Sequence, residues 1–373
     1  MVTVNWIVRG PRMRILHLPT SVGGNSWHLS RGERELGCIS DVLVANENWL
    51  KYPADISLGL QQKSNMEKLF RLFACFLNVR NKYDVFHFNF GASLIHYHKA
   101  KLNQLDLPFY PKSARLFVTY NGCDIRQKDV VVRERKIAAC HNPQCYGGVC
   151  NDGPLDNWRR IGLKKMATYV SHIWALNPDL LHFLPPDKST FLPYAISGSK
   201  RNPCSVSLNG RLKIVHAPTN REAKGSAFLF SALDRLRHTH GDCFELLLVE
   251  GVPHAKALEM YQAADVVVDQ LLIGWYGGIA VEAMLLGKPV IARIESEDLK
   301  FIPQEMAHDL TDALLQSDPE HIYNTLAWCV ENRSELHRVA EAGFEYARRW
   351  HDPGYVASIT LAAYQNQSSS GAS

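Results

Sequence analysis

The segment with the clearest chemical potential runs over residues 274–292 and reads GWYGGIAVEAMLLGKPVIA. Gly277 and Gly278 precede an apolar stretch with helical spacing, and a short apolar strand follows. Glycines let a backbone approach a ligand closely, and a helix N-terminus presents free N–H groups with partial positive charge. The pattern predicts a diphosphate site, with Glu282 accepting hydrogen bonds from a ribose. An ordinary strand-to-helix turn with a solvated Glu282 is the alternative.

A basic loop stands earlier in the same half of the chain, directly after a predicted strand over residues 212–216. Residues 216–225 read HAPTNREAKG, so that Arg221 and Lys224 precede a predicted helix. Cationic side chains in such a place neutralise the charge that develops on a leaving diphosphate. Two solvated surface charges near the start of a helix are the other interpretation of these residues.

A loop of the N-terminal half, residues 119–126, also carries candidate residues and reads TYNGCDIR. Asn121 can form a hydrogen bond with a sugar hydroxyl but cannot titrate. Asp124 and Arg126 have two interpretations. They belong to a site, or they form an internal salt bridge that shapes the loop.

The segment over residues 274–292 resembles the donor-site motif of retaining glycosyltransferase family 4, E-x7-E continuing as F-G-x-x-x-x-E-A-M-A-x-G-x-P-V-I. The resemblance implies that Glu282 binds the donor ribose and that Tyr276, Gly277 and Gly278 belong to the loop that meets the diphosphate and the sugar. Gly274 stands where the family has its first Glu, which contacts the donor sugar. The identity of the donor sugar therefore stays open.

The basic loop is similar to the family's strand-end loop G-R-x-x-x-x-K-G, whose Arg and Lys hold the donor phosphates. Lys224 and its following glycine match the end of that motif. The family's Arg falls on Thr219, and Arg221 is a substitute two residues later. In the shortened stretch that follows, the loop around Gly251 is expected to serve the nucleotide base.

Two N-terminal features extend the resemblance. Residues 119–126 resemble the family motif H-G-x-D-x-R, with Asn121 in place of the His that lies near the reacting sugar and Asp124 in the acidic position. Gly23 and Gly24 follow the first predicted strand and resemble the glycine loop that lies against donor and acceptor. Retaining transfer tolerates the loss of the His, because the leaving phosphate is thought to help deprotonate the acceptor on the same face.

The resemblance implies an α/β protein of the GT-B fold, with two Rossmann-like, doubly wound parallel-sheet domains facing across a cleft. It implies a nucleotide-diphosphate sugar as donor and no cofactor required for catalysis. The acceptor is unidentified and could be a sugar, a glycolipid or a small molecule. We expect transfer with retention of the anomeric configuration.

The order of predicted elements agrees with that architecture, since strands and helices alternate through two successive units. We place the first domain at residues 13–196 and the second at 211–345, with a Ser-, Gly-, Asn- and Pro-rich linker between them. A closing helix over 346–366 is expected to return to the first domain. The predicted strands cover 14–18, 41–45, 84–88, 115–119, 172–176, 190–193, 212–216, 244–249, 266–268 and 289–292.

Four cysteines lie in or near a predicted exposed insertion over about 126–160, which is rich in turn-forming residues. Cys140, Cys145 and Cys150 are five residues apart, and Cys123 could be brought near them. Four sulfur ligands would suit a structural zinc ion. A redox-sensitive disulfide and plain thiols are the alternatives.

Composition excludes several classes of protein. The 373 residues include 41 Lys and Arg against 37 Asp and Glu, a balance that argues against a nucleic-acid-coating protein. No apolar run approaches the roughly 20 residues of a membrane helix. We expect a cytoplasmic location and leave peripheral membrane contact open.

Two other functions fit the same features. A nucleotide-sugar epimerase of the GT-B fold would convert the donor with no acceptor present. A catalytically inactive partner subunit that binds sugar nucleotides would explain the missing Glu at Gly274 and the missing His at Asn121.

Overall fold

The computed structural model describes residues 12–47, 51–96, 103–198 and 206–366. They form two α/β units, each built on a parallel sheet with helices against its faces. This confirms the predicted α/β class with two parallel-sheet domains. Part of the predicted linker, residues 199–205, lies outside the described residues.

The first sheet has seven parallel strands in the order β3-β2-β1-β4-β5-β6-β7. Its central strands are apolar and buried on both faces, as expected where helices cover both sides of a parallel sheet. The two-residue strand β3 was not predicted. The strands are β1 Arg14–Leu18, β2 Ile39–Val44, β3 Ile56–Ser57, β4 Val85–Asn89, β5 Arg115–Tyr120, β6 His172–Ala175 and β7 Ser189–Phe191.

The second sheet has five parallel strands in the order β12-β11-β10-β8-β9. Strand β8 lies between β10 and β9, so the loops that follow these three strands leave from neighbouring positions. Ligands of such sheets bind at the carboxyl ends of the strands. The strands are β8 Leu212–His216, β9 Phe244–Leu248, β10 Val266–Val268, β11 Val290–Ala292 and β12 Leu315–Gln316.

The helices begin where local sequence favours a cap. Ser64 accepts the Glu67 N–H at the start of α2, and Asn220 accepts the Ala223 N–H at the start of α5. No helix of the described residues is long and apolar enough to cross a membrane. The helices are α1 Asn25–Glu35, α2 Asn65–Val79, α3 Lys128–Glu134, α4 Pro154–Tyr169, α5 Arg221–Lys224, α6 Ser226–His240, α7 His254–Gln262, α8 Gly278–Leu285, α9 Gln304–Ala313, α10 Ile322–Glu331, α11 Glu335–Trp350 and α12 Pro353–Asn366.

The last helix, α12, packs against α1 and the core of the first domain. A Cβ at Gly32 would lie 2.1 Å from the Pro353 carbonyl oxygen, so only glycine permits this approach of the two helices. The Tyr364 hydroxyl hydrogen-bonds to His87 Nδ1 at 2.6 Å, inside the same core. The predicted closing segment 346–366 therefore covers the end of α11, which belongs to the second domain, and all of α12.

Candidate functional site

Two loops at the carboxyl edge of the second sheet, which follow β8 and β10, meet around the Lys224 ammonium. Lys224 Nζ lies 2.6 Å from Asp269 Oδ1 and 2.6 Å from Gln270 Oε1. Asp269 Oδ2 in turn accepts the Gly277 N–H at 2.5 Å. A Cβ at Gly277 would stand 3.2 Å from Lys224 Nζ, so the ammonium lies directly beside the start of α8. The lysine and the glycine loop therefore occupy one place, although more than 50 residues separate them in the chain.

The Asp269 carboxylate balances the positive charge of the Lys224 ammonium before any ligand binds. Asp269 is fully buried and Lys224 nearly so, with side-chain exposures of 0% and 13%. An ammonium has three N–H donors. Within the part of the chain that the structure describes, Asp269 and Gln270 take two of them. The third N–H of Lys224 has no acceptor among the described residues.

Arg221 does not join Lys224. Its guanidinium is half exposed and forms two hydrogen bonds with Glu250, at 2.8 and 2.5 Å. The hydrogen bonds to Glu250 raise the pKa of Arg221. Because Glu250 follows β9, the neighbour of β8, its carboxylate reaches the arginine first. In this conformation the two cations pair with different carboxylates, and a shared phosphate role for Arg221 and Lys224 stays a prediction.

Two other predicted donor residues lie in the same pair of loops. Gly251 follows Glu250 and has a φ of +65°, a conformation that favours glycine. Thr219 stands before α5, which contacts the cysteine-containing segment of the first domain around Tyr146. The first domain thus reaches the loop that precedes Lys224.

Glu282 takes part in a row of side chains that connects the two domains. Its Oε1 lies 2.6 Å from His254 Nε2. The His254 ring packs on the Tyr52 ring of the first domain, with 4.7 Å between centroids. Tyr52 lies against Gly24, where a Cβ would come within 2.7 Å of its ring. Burial, and then the Glu282 carboxylate, raise the pKa of Tyr52.

The predicted glycine loop of the first domain is thereby placed opposite Glu282. Gly23 and Gly24 both have positive φ, at +61° and +70°, so this turn requires glycine. Next to it, His28 Nδ1 lies 3.0 Å from Ser197 Oγ. Burial, and then the neighbouring His254, lower the pKa of His28 to about 4. A neutral imidazole therefore faces this part of the cleft at neutral pH.

Tyr276 has a different place from the one predicted. Its ring is fully buried and stacks on Trp275, with 4.5 Å between centroids. Its hydroxyl hydrogen-bonds to Tyr346 at 2.7 Å and to His351 at 2.9 Å. We correct its assignment, because this side chain packs beneath the glycine loop and does not line the cleft.

Gly274, at the position of the family's first Glu, is required by packing. A Cβ there would lie 2.6 Å from the Cβ of Glu295, a closer approach than side chains tolerate. The two backbones are held together by the Glu295 N–H, which donates to the Gly274 carbonyl at 2.9 Å. Glu295 is itself paired with Arg293. The space that a glutamate at position 274 would need is already filled.

In the loop over residues 119–126, the Asp124 side chain is bound by backbone groups of the same loop. Its carboxylate accepts the N–H of Asn121 at 3.0 Å and of Gly122 at 2.6 Å. Burial raises the pKa of Asp124 to about 6 although these N–H groups lower it. Arg126 pairs with Asp179, at 2.7 and 3.0 Å, rather than with Asp124. The predicted salt bridge between Asp124 and Arg126 is therefore not formed, and the two side chains have different partners.

Asn121 differs from its neighbours. Its side-chain oxygen Oδ1 is buried, and no partner for it exists among the described residues. A buried acceptor without a hydrogen bond costs free energy of about 1–3 kcal/mol. A ligand hydroxyl that reached this oxygen would remove that cost.

The comparisons with known proteins concern the fold. No protein-family model matches the chain, and no curated protein matches it. Sucrose-phosphate synthase from Thermosynechococcus elongatus is similar with a TM-score of 0.60 and 16% identity, over 95% of this chain and 99% of the synthase. HepE of Anabaena, in complex with UDP-glucose, has a TM-score of 0.57 and 13% identity, over 94% and 100% of the two chains. A UDP-N-acetylglucosamine 2-epimerase has a TM-score of 0.50 and 13% identity, over 94% and 95%.

The chain has the GT-B fold. This confirms the predicted fold class. In a GT-B molecule the carboxyl edges of both sheets border one cleft. The row from Gly24 through Tyr52 and His254 to Glu282 lies between the two domains.

Several residues of this site were not predicted from the sequence. Asp269 and Gln270 directly follow β10 at the carboxyl edge of the sheet, so the strand-end rule was a sufficient signal for them. Tyr52 and His254 carry no local signal, because only the approach of the two domains brings their rings together.

The predicted insertion is exposed over most of residues 141–154 and packed in part. Ala139 and Cys145 contact Ala223 and Leu272 of the second domain, next to the Lys224 loop. Apolar residues on both sides of this contact explain why this part of the insertion is packed. Much of the range 126–160 is also helical, in α3 and the start of α4.

The four cysteines are neighbours in the structure. Burial raises the pKa of the Cys140 thiol to about 12, and nearby Cys123, Cys145 and Cys150 also raise it. Within the described residues, however, no three His, Cys, Asp or Glu side chains are already placed as ligands of one metal ion. A structural zinc ion therefore stays a prediction. If the four cysteines bind zinc, protein purified under reducing conditions should contain about one zinc per chain, and metal analysis showing neither zinc nor iron would leave plain thiols or a disulfide.

Proposed function

We propose that this protein is a glycosyltransferase that transfers a sugar from a nucleotide-diphosphate donor to an acceptor, with retention of the anomeric configuration. The observation that carries the proposal is the position of Lys224 beside the Gly277–Gly278 loop. A cation and a helix N-terminus aimed at one place suit a diphosphate. The family resemblance of both loops supports the same assignment.

In this proposal the second domain holds the donor. The diphosphate lies at the N-terminus of α8 and accepts a hydrogen bond from Lys224. The ribose hydroxyls donate to Glu282, whose carboxylate His254 already orients at 2.6 Å. The base lies near Gly251. When the sugar–phosphate bond breaks, its electron pair stays on the diphosphate, and the nearby positive groups stabilise the charge.

The first domain holds the acceptor. The acceptor hydroxyl attacks the anomeric carbon on the face that the diphosphate leaves, and its proton passes to the leaving phosphate. Asn121 Oδ1 accepts a hydrogen bond from a sugar hydroxyl, and Asp124 fixes the shape of the loop that carries Asn121. Gly23 and Gly24 lie against the transferred sugar. The cytoplasmic location expected from the sequence stays part of this proposal.

An epimerase is the second candidate, and the structural similarity to a UDP-N-acetylglucosamine 2-epimerase favours it. An epimerase would convert the donor sugar with no acceptor present. The inactive-subunit alternative is favoured by Gly274, whose place cannot hold the family's glutamate. An inactive subunit would bind a nucleotide and release no product from any donor.

The test is a thermal-shift panel followed by product analysis. The panel contains nucleoside diphosphates, the matching nucleotide sugars headed by UDP-sugars, and nucleosides without phosphate as the control. A ligand at 100 times its Kd stabilises the fold by about 2.7 kcal/mol. We expect nucleotide sugars to raise the melting temperature and nucleosides to leave it unchanged.

Product analysis then separates the three functions. A donor that shifts the melting temperature is incubated alone and with mixed acceptors, and its sugar is followed by mass spectrometry and NMR. Glycosylated acceptor with the donor's anomeric configuration supports our proposal. Conversion of the donor alone favours the epimerase, and binding without turnover favours the inactive subunit. No shift with any nucleotide would contradict a donor site at Lys224.

A further inference from the structure

Helix α2 exposes an apolar stripe to solvent. The side chains of Met66, Phe70 and Phe73 are 79%, 72% and 52% exposed, and Leu77 continues the stripe at 50%. Their spacing of four, three and four residues places them on one face of the helix. The neighbouring face carries the residues that pack in the core, among them Leu72 and Phe76. The stripe is therefore additional to the core contact that already holds α2.

A second ridge stands beside this stripe. Leu105 and Phe109, which come after β4 in the chain, are 40% and 61% exposed, and together with α2 they border an apolar groove. We call Met66, Phe70, Phe73, Leu77, Leu105 and Phe109 the α2 face. Contiguous apolar surface of this kind marks an interaction site, whereas singly exposed apolar residues are normal.

The charges on α2 and in the residues next to it have one dominant sign. Residues 63–82 contain five basic side chains and a single acidic one, Glu67. Glu67 is shared by Lys63 at 3.3 Å and Arg71 at 3.2 Å. A helix with Phe and Leu on one face and Lys and Arg around it binds in the interface of an anionic bilayer. A second copy of the same face would bring like charges together, which disfavours self-association.

We propose that the α2 face docks on an anionic lipid bilayer, with the phenylalanines in the headgroup region and the basic residues against the phosphates. Helix α2 connects two parallel strands and so runs antiparallel to them. Its N-terminal end, at Met66, therefore lies towards the carboxyl edge of the first sheet, which borders the cleft. Docking would bring the cleft near the membrane surface, and it does not depend on the proposed transferase activity.

Vesicle flotation tests the proposal with the full-length chain. Phosphatidylcholine vesicles with and without phosphatidylglycerol are compared at low and high salt. We expect binding about tenfold stronger with phosphatidylglycerol, and weakening at high salt because screening reduces the attraction of exposed charges. The double variant Phe70→Ser, Phe73→Ser should lose binding about tenfold or more, because the inserted aromatic surface is removed.

A matched control distinguishes vesicle binding by the α2 face from non-specific binding by any exposed aromatic side chain. Phe228→Ser on α6 of the second domain removes another exposed phenylalanine, 43% exposed, and should leave vesicle binding unchanged. Melting temperatures of all variants check folding. Absence of binding to anionic vesicles would overturn the proposal, as would equal loss in the control. Sedimentation velocity tests whether a second copy of the chain occupies the α2 face instead. A dimer that the Phe70→Ser, Phe73→Ser variant abolishes, in a protein that does not bind lipid, would overturn the proposal and make the α2 face a self-association surface.

Discussion

The strand-end loops of the two domains use their polar residues in different ways. In the second domain, Lys224 comes from the loop after β8, Asp269 and Gly277 come from the loop after β10, and the three meet at one point beside a helix N-terminus. In the first domain, Asp124 bonds the backbone of its own loop and Arg126 bonds Asp179. The second domain thus gathers charge at a shared centre, whereas the first domain fixes the shape of the loop around Asn121.

The largest effect should follow from Lys224→Ala, which removes the cation at that shared centre. Negative charge on the leaving diphosphate grows toward the transition state, so turnover should suffer more than donor binding. We expect a fall of about 10²–10³ in kcat with a small change in the donor KM. Steady-state kinetics on a verified donor and acceptor measure both constants.

Arg221→Ala is the matched control for this variant. Its guanidinium is half exposed and bonded to Glu250, so its loss should change kcat far less than the loss of Lys224. Because Lys224 pairs with the buried Asp269, the melting temperature of Lys224→Ala must also be measured. Near-normal turnover of folded Lys224→Ala would remove the phosphate role from this loop.

Glu282→Ala should have the next largest effect, on donor binding. A hydrogen bond to a charged group contributes about 1.5–3 kcal/mol, which corresponds to a loss of affinity of about tenfold to a hundredfold. Calorimetric titration with the nucleotide that binds the parent measures it. His254→Ala removes the hydrogen-bond partner of Glu282 but keeps the Glu282 carboxylate, so it should weaken nucleotide binding less than Glu282→Ala does. Equal nucleotide affinity for the parent and folded Glu282→Ala would place the ribose elsewhere.

Gly274→Ala tests whether packing excludes the family's glutamate. A Cβ at this position meets Glu295 at 2.6 Å, and overpacking of this kind costs about 1–3 kcal/mol of stability. We expect a lower midpoint in denaturant unfolding for Gly274→Ala. Gly251→Ala has no atom within 4 Å of the new Cβ and reports only the backbone cost of its positive φ. A Gly274→Ala protein as stable as the parent would show that the site can hold a side chain.

The smallest effect concerns Asp124 and depends on pH. Its folded pKa of about 6 lies above the ordinary value of 3.8, so the fold favours the protonated carboxyl. This contribution is complete below about pH 4 and is lost as the pH rises to about 6. Asn resembles the protonated carboxyl, so the melting temperature of Asp124→Asn relative to the parent should rise between these values. A constant difference across this window would mean that the carboxylate is as well accommodated as the acid.

Prediction from the sequence succeeded where signals were local. The apolar runs that became β1, β4 and β10, and the glycine pair before α8, are contiguous features whose spacing is sufficient to predict element and loop. Tyr276 was misplaced because a motif aligns positions but does not state which way a side chain points, and here the ring turns towards Tyr346 and His351. Arg221 was predicted to act together with Lys224 because both lie in one short loop. Its ion pair with Glu250 was not predicted, because Glu250 is 29 residues away in the chain.

The sequence alone determined the two α/β units, the strand-end location of the candidate residues and the helix N-terminus that would face a diphosphate, because hydrophobic period and glycine placement act over a few residues. Only the tertiary structure decided which charges meet. The pairing of Lys224 with Asp269, and the row from Gly24 through Tyr52 and His254 to Glu282, depend on strand order and on the approach of the two domains. Those contacts join residues far apart in the chain, and no local pattern encodes their distance.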